Sequence, residues 1–185
     1  APWLIPDLDA LPEFSPGCMT KPNGTVDGEP VTLPYLRDEE TLSRPWIKPG
    51  TPGLEHRIGG LEKADKTGNV SYDPQHHARM TKIRAEKVER VAREIPPTQV
   101  YGEAAGDVLL VGWGSTRGSL EAAVDRLREQ GIKAGTIHLR FINPLPSDLE
   151  EIFARFALLV VPELNNRQLV RILRDRYLLP FESLN

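Results

Sequence analysis

Asp107-Val108-Leu109-Leu110-Val111-Gly112 is a short apolar run between an acidic residue and a glycine. That pattern suits a parallel strand buried on both faces. Downstream, Leu120, Ala123, Val124 and Leu127 recur at helical spacing, and Gly131 stands where a helix ends on a left-handed residue. A second strand is expected around Ala134–Leu139. Pro144 and Pro146 turn the chain, and Ser147 with Glu150 reads as a capping box. Leu149, Ile152, Phe153 and Phe156 come next at i, i+3, i+4, i+7. Ala157-Leu158-Leu159-Val160-Val161 reads as a third strand, and Asn165 or Asn166 as the cap of a helix bearing Leu169, Ile172 and Leu173. Residues 107–178 therefore alternate βαβαβα. The expected fold is α/β: three layers, with a small parallel sheet of three strands between helices. The apolar Leu178-Leu179-Pro180-Phe181 close to Asn185 leads us to expect further sequence in the native protein.

Upstream the chain changes character. Met80, Ile83, Val88, Val91, Ala92 and Ile95 share one helical face, so a helix is expected over about 75–95. Asp73 before Pro74 supplies an N-cap and an N1 proline, and Pro96-Pro97 stops the helix. Ten of the 17 prolines and seven of the 15 glycines lie in residues 1–60. Proline removes a backbone donor, so this stretch reads as an extended arm rather than a regular sheet or bundle, with turns at Pro22-Asn23-Gly24 and Asp27-Gly28. Trp3, Leu4, Ile5, Leu8, Phe14, Trp46 and Ile47 are the side chains with which the arm would cover a surface. The expected organisation is an arm over 1–60, a linker with one helix over 61–106, and an α/β domain, read as truncated, over 107–185.

Of the 185 residues, 39% are hydrophobic and 26% charged, and the formal net charge is −3 with both signs mixed. No basic field is present to attract nucleic acid or an anionic membrane. No apolar run approaches the roughly 20 residues of a membrane span. Ala1-Pro2-Trp3-Leu4 does not read as a signal peptide. The single cysteine, Cys18, can form neither an internal disulfide nor a thiolate cluster, and a reducing cytoplasm is the expected compartment.

Three loops carry candidate chemistry. In Gly112-Trp113-Gly114-Ser115-Thr116-Arg117-Gly118, glycines between a strand and a helix expose backbone N–H groups that suit an anion. The spacing is not that of a dinucleotide fingerprint, and the P-loop lysine is missing. Gly112, Gly114, Ser115 and Thr116 thus read either as a tight capped turn or as an anion or subunit contact. Glu163 and Asn165, at the end of the third strand, stand where open α/β sheets place functional loops. Glu163 reads as an acid, a base or an interface partner, or as a carboxylate on a solvated or paired edge beside a capping Asn. Gly53-Leu54-Glu55-His56 sets a Glu-His pair beside a glycine and reads as a site-facing loop or a structural turn. His76-His77 points its rings about 100° apart on a helix, a poor metal clamp, and no metal site or catalytic residue is expected.

Taken together, Gly50–Lys63, Val111–Thr116 and Val161–Asn165 resemble the alpha subunit of 2-oxoacid:ferredoxin oxidoreductases, the 2-oxoglutarate type, over nearly the whole chain. The resemblance implies that residues 107–185 form a transketolase C-terminal-like domain. It implies that residues 1–60 are the tail of a pyrimidine-binding domain. The family reaction is oxidative decarboxylation of a 2-oxoacid to an acyl-CoA, with electrons passed to ferredoxin. Thiamin diphosphate, Mg²⁺, an iron–sulfur cluster and coenzyme A would belong to the full complex and not to this fragment. The implied partners are the beta subunit, the rest of the alpha subunit and, indirectly, ferredoxin. The resemblance makes Gly53–His56 the loop nearest the active site. Many relatives carry an acidic residue after Glu-His, whereas this chain has Arg57. Two alternatives stay open: a freestanding anion- or nucleotide-binding α/β module, and the C-terminal domain of a transketolase-like or pyruvate dehydrogenase-like enzyme.

Overall fold

The computed structural model describes residues 7, 9, 11 and 17–185. Trp3, Leu4, Ile5, Leu8 and Phe14, expected to anchor the arm, lie outside the described residues. The chain forms two compact units, Ala1–Lys87 and Val88–Asn185.

In the first unit, proline density limits regular structure to short ribbons. β1 (Cys18–Met19) pairs parallel with β4 (Trp46–Ile47), and β2 (Gly24–Val26) pairs antiparallel with β3 (Glu29–Val31). Asp27 and Gly28 both take positive φ, 51° and 84°, the geometry of a two-residue type I′ hairpin. The turn expected at Pro22-Asn23-Gly24 is instead the lead into β2. The Asn23 side chain completes the ladder there: its Oδ1 accepts the Leu33 N–H at 2.7 Å and its Nδ2 donates to the Leu33 carbonyl at 3.0 Å. The Asn23 amide thus supplies hydrogen bonds beyond the short β2–β3 ladder.

Helix α1 (Pro74–Arg90) starts as its sequence dictates, with Asp73 Oδ1 accepting the Gln75 N–H at 2.8 Å. It tightens into a 3₁₀ turn, Val91–Glu94. Of its expected apolar face only Met80 is fully buried, while Val88 and Val91 are exposed. The unit boundary at Lys87 and Val88 falls inside this helix, whereas the sequence suggested an arm and a linker meeting at residue 60.

The second unit is built on β5 (Val100–Gly102), β6 (Gly106–Trp113), α2 (Arg117–Glu129), β7 (Ala134–Leu139), α3 (Leu149–Phe153), β8 (Phe156–Pro162), α4 (Gln168–Tyr177) and β9 (Phe181–Leu184). The sheet order is β5-β7-β6-β8-β9. All pairings are parallel except β5 with β7. The three expected strands are its centre, and the expected three-stranded sheet is corrected to five by two short edge strands. Phe156, expected on the third helix, opens β8.

Two cores lie on opposite faces of the sheet. Val108, Leu110 and Ala134 pack under Leu120 and Val124 of α2. Leu109, Val111, Ile137, Leu159, Val161 and Phe181 pack with α3 and α4, where Phe153 meets Tyr177 and Phe181 edge to face with ring centroids 5.1 and 5.0 Å apart. Helix α2 ends in a full Schellman motif. Gly131, φ 82°, donates to the Arg128 carbonyl, and Ile132 donates to the Leu127 carbonyl at 3.0 Å. The capping box expected at Ser147 and Glu150 is not the one used. Asp148 occupies the N-cap position, without a side-chain cap bond, and its carboxylate accepts the Thr98 N–H and hydroxyl at 2.6 and 2.7 Å instead. On α4 the buried residues are Leu169, Val170 and Leu173, and Ile172 faces solvent. The Arg174 guanidinium donates to the Phe181 carbonyl and pins β9 beside the helix.

Candidate functional site

Strand β6 lies between β7 and β8, so the chain winds first to one side of it and then to the other. The carboxyl ends of β6 and β8 flank this reversal, the place where open α/β sheets hold their functional loops. Two of the three candidate loops meet there.

After β6, Gly114–Thr116 forms a 3₁₀ turn that leads into α2. A Cβ at Gly112 would come within 2.1 Å of Leu120 Cδ1 and 2.8 Å of Thr116 Oγ1, so this glycine admits the helix against the strand. Gly114 has φ 63° and open space around its Cα, so its requirement is conformational. The Thr116 hydroxyl donates to the Trp113 carbonyl at 2.8 Å, and His138 Nε2 donates to the Gly114 carbonyl at 2.8 Å. Ser115 is exposed. Three of the four residues expected to greet an anion are thus occupied in shaping the turn.

After β8, Glu163 is 4% exposed. Its Oε1 accepts the Leu169 N–H at 2.8 Å and the Trp113 indole N–H at 3.2 Å, and its Oε2 accepts the Val170 N–H at 3.1 Å. Burial pushes this carboxyl up, but the Leu169 and Val170 N–H groups, the Asn165 amide and the indole together hold it below the usual carboxylate range. Asn165 Oδ1 accepts the Gln168 N–H at 3.0 Å at the start of α4, although the N-cap position expected for Asn165 or Asn166 is held by Arg167, φ 64°. Glu163 therefore stays ionised at neutral pH with both oxygens engaged. It ties the end of β6 to the start of α4 and is poorly placed to move protons. The Trp113–Glu163 pair joins positions 50 residues apart, and sequence reading did not connect them. The signal was available in the order of the strands: β6 and β8 are neighbours, so the loops leaving their carboxyl ends must meet.

Beside this point, at the end of β7, lies a cleft of about 380 Å³. Arg117, His138 and Arg140 bring positive or protonatable groups to it, and Pro96, Tyr101 and Phe141 bring apolar surface. Arg117 is paired with Glu121 at 2.8 Å. Tyr101 donates to both Asp125 carboxylate oxygens at 3.0 Å, a contact that raises its pKa.

The third loop belongs to the first unit. Gly53 takes φ 76°, and its carbonyl accepts the Thr32 hydroxyl at 3.2 Å. Leu54 is 1% exposed and anchors the loop. Glu55 is exposed. His56 Nδ1 lies 3.0 Å from the Leu54 carbonyl, which can only accept, so Nδ1 carries a proton and donates in this contact. Further on, Glu62 accepts Arg84 and His77 of α1 at 3.2 and 2.7 Å. The Arg84 guanidinium, then His77 and the Lys63 N–H, pull its carboxyl down to about 2. His76 bonds Ser71 instead, at 2.7 Å, so the two neighbouring rings face different partners. Among the described residues no group of three or more His, Cys, Asp or Glu is placed to hold a metal ion, and no helix is long and apolar enough to cross a membrane.

Residues 106–176 match the family described as pyruvate:ferredoxin oxidoreductase core domain II. The chain is 44% identical over 184 residues to 2-oxoglutarate oxidoreductase subunit KorA of Mycobacterium tuberculosis, covering 98% of this chain and 27% of that protein. It is 36% identical over 126 residues to 2-oxoacid:ferredoxin oxidoreductase 1, subunit alpha, of Aeropyrum pernix, covering 66% of this chain and 19% of that protein. Among solved structures, the 2-oxoglutarate:ferredoxin oxidoreductase from Magnetococcus marinus, with 2-oxoglutarate, coenzyme A and succinyl-CoA bound, superposes with a TM-score of 0.74 at 30% identity. That match covers 86% of this chain and 28% of that chain. The chain thus spans about a quarter of the length of such relatives.

Proposed function

Because this chain belongs to the alpha subunits of 2-oxoacid:ferredoxin oxidoreductases, we propose that it acts as a scaffold and interface segment of such a subunit. The whole enzyme would decarboxylate a 2-oxoacid, 2-oxoglutarate first among them, to an acyl-CoA and pass the electrons to ferredoxin. One observation carries this reading. Glu163, the carboxylate best placed for chemistry at the sheet's reversal point, is buried and spent on three structural hydrogen bonds. The donor sets fit the same division of labour. Thiamin diphosphate needs Mg²⁺ and oxygen ligands, and an iron–sulfur cluster needs several thiolates. This chain offers the single Cys18 and, among the described residues, no carboxylate cluster. Those groups are therefore assigned to the beta subunit and the rest of the alpha subunit. The Gly53–His56 loop, with Glu55 exposed and His56 half-buried, is assigned to the wall of the active site. The compartment is taken to be the cytoplasm, where an exposed thiol such as Cys18 stays reduced.

The test is turnover. The purified 185-residue chain, supplied with 2-oxoglutarate, coenzyme A, thiamin diphosphate and Mg²⁺, is expected to reduce no dye acceptor. Measurable reduction in a sample free of beta subunit would overturn the reading.

The cleft at the end of β7 favours a second reading, in which the unit also binds an anion. Its volume suits a small ligand, and Arg140 has no ion-pair partner among the described residues. Titration with phosphate and with coenzyme A is the check. Saturable binding weakened about tenfold by Arg140→Ala supports this reading, and no binding by the folded chain removes it.

A further inference from the structure

We propose that Lys63 is a positioning residue that holds the Gly53–His56 loop in shape for the reaction. This rests on the reading that the loop faces the active site. Lys63 is 2% exposed, an uncommon place for an ammonium group. Burying such a charge is costly unless dipoles or an opposite charge replace its water. No carboxylate is paired with it among the described residues. Its Nζ donates to the Leu61 carbonyl at 2.7 Å and to the Gly59 carbonyl at 3.2 Å. The solvation of the charge therefore comes from the loop's own backbone, and the loop must curl around the ammonium to supply it.

The neighbouring residue fixes the other side. Glu62 accepts Arg84 and His77 of α1, so consecutive side chains reach to different partners: Glu62 to the helix, Lys63 to the loop. The backbone at this point is tied down as well. Ser71 donates to the Glu62 carbonyl at 3.0 Å, and Lys63 pairs with Val70 in an antiparallel bridge. The ammonium thus projects from a backbone braced at Glu62 and Lys63 and gathers the Gly59-Gly60 segment toward it. Leu54 anchors the other end by burial. Between these two buried anchors Glu55, Arg57 and Ile58 are exposed. Glycine pairs bring conformational freedom, and a charge that needs two carbonyls removes it.

The experiment uses the full alpha subunit assembled with its beta subunit. Lys63→Met keeps the length and most of the volume of the side chain and removes the charge and the donors. We expect the amides of residues 55–61 to exchange at least about tenfold faster, with β6 amides unchanged. We expect kcat/KM for 2-oxoglutarate to fall about tenfold or more with assembly intact, because small displacements of contact groups are costly in the transition state. Lys63→Arg, which keeps the donors, should restore most of the loop protection. If Lys63 only fills space, the Met variant will match wild type in both readouts, and the proposal fails. It also fails if Lys63→Arg exposes the loop as much as Lys63→Met does. If Lys63→Met does not assemble, Lys63→Gln, which removes the charge and shortens the side chain, is read by the same criteria. Glu55→Gln and His56→Gln separate the two layers. If neither alters turnover while Lys63→Met still loosens the loop, the active-site assignment falls and the clamp stands.

Discussion

Glu163→Ala is expected to destabilise the sheet unit by about 3–5 kcal/mol, the range for breaking a buried charged hydrogen-bond network. The substitution leaves the Leu169 and Val170 N–H groups and the Trp113 indole N–H without their acceptor in a buried setting. It also opens a void next to the α4 N-terminus, where a negative charge is favourable. Glu163→Gln keeps the volume but offers one carbonyl oxygen in place of two, and should cost about 1–3 kcal/mol. Exchange of the β6 amides, which report opening of the whole unit, would measure both. The pH dependence has a fixed sign. The folded-state pKa of Glu163 lies below its ordinary value, because its bonds outweigh the penalty of burial. Its contribution is therefore complete above the unfolded carboxyl range and is lost as pH falls through the lowered folded value. The Gln variant should lack this acid-side loss. Equal stability of wild type and Glu163→Ala at neutral pH would refute the structural role given to this carboxylate.

Phe153→Ala is the second large effect, about 3–5 kcal/mol for truncating a buried aromatic. Phe153 is 1% exposed and meets Phe181 and Tyr177 edge to face. Its ring thus links α3, α4 and β9, three elements that are each short. Strand β9 has only four residues and one neighbour, β8. With Phe153 removed, Phe181 loses the partner that seats it, and β9 should release first. We expect exchange at Phe181–Leu184 to rise more than at β6. Equal acceleration at both would mean that β9 opens only with the whole sheet. Protection at Phe181–Leu184 unchanged from wild type would show that Phe153 does not hold the strand.

The central part of this molecule could be read from local pattern alone. The strands at 108–111 and 157–161 are short apolar runs, and 134–139 is one interrupted by Thr136 and His138, a pattern that suits the strands of a parallel sheet. Helix α2 announced itself by Leu120, Val124 and the glycine at 131, and α1 by Asp73-Pro74. These signals act over a few residues, so neighbouring sequence is enough to produce them. The missed edge strands are different. Val100–Gly102 and Phe181–Leu184 are too short to show a period, and they are strands only because β7 and β8 offer them a ladder. The same holds for Asp148, which is drawn to Thr98, a partner 50 residues away, and leaves the expected capping box unused.

The candidate site divides along the same line. Residue types told which loops to watch, because Gly112–Thr116 and Glu163 follow apolar strands and Gly53–His56 sets a Glu-His pair beside a glycine. They did not tell what each group does. Glu163 is as acidic on paper as any catalytic carboxylate. Its role was decided by the strand order, which brings the indole of Trp113 and two helix N–H groups to its oxygens.

By itself the sequence determined an α/β sheet core and the presence of its helices, since hydrophobic period and the capping of α1 and α2 are short-range effects. The tertiary structure alone decided how wide the sheet is, where the Glu163 charge is spent and why Lys63 is buried. Each of those depends on which polar groups the fold brings within reach and which surfaces it closes to water, and that is settled only when the chain has folded.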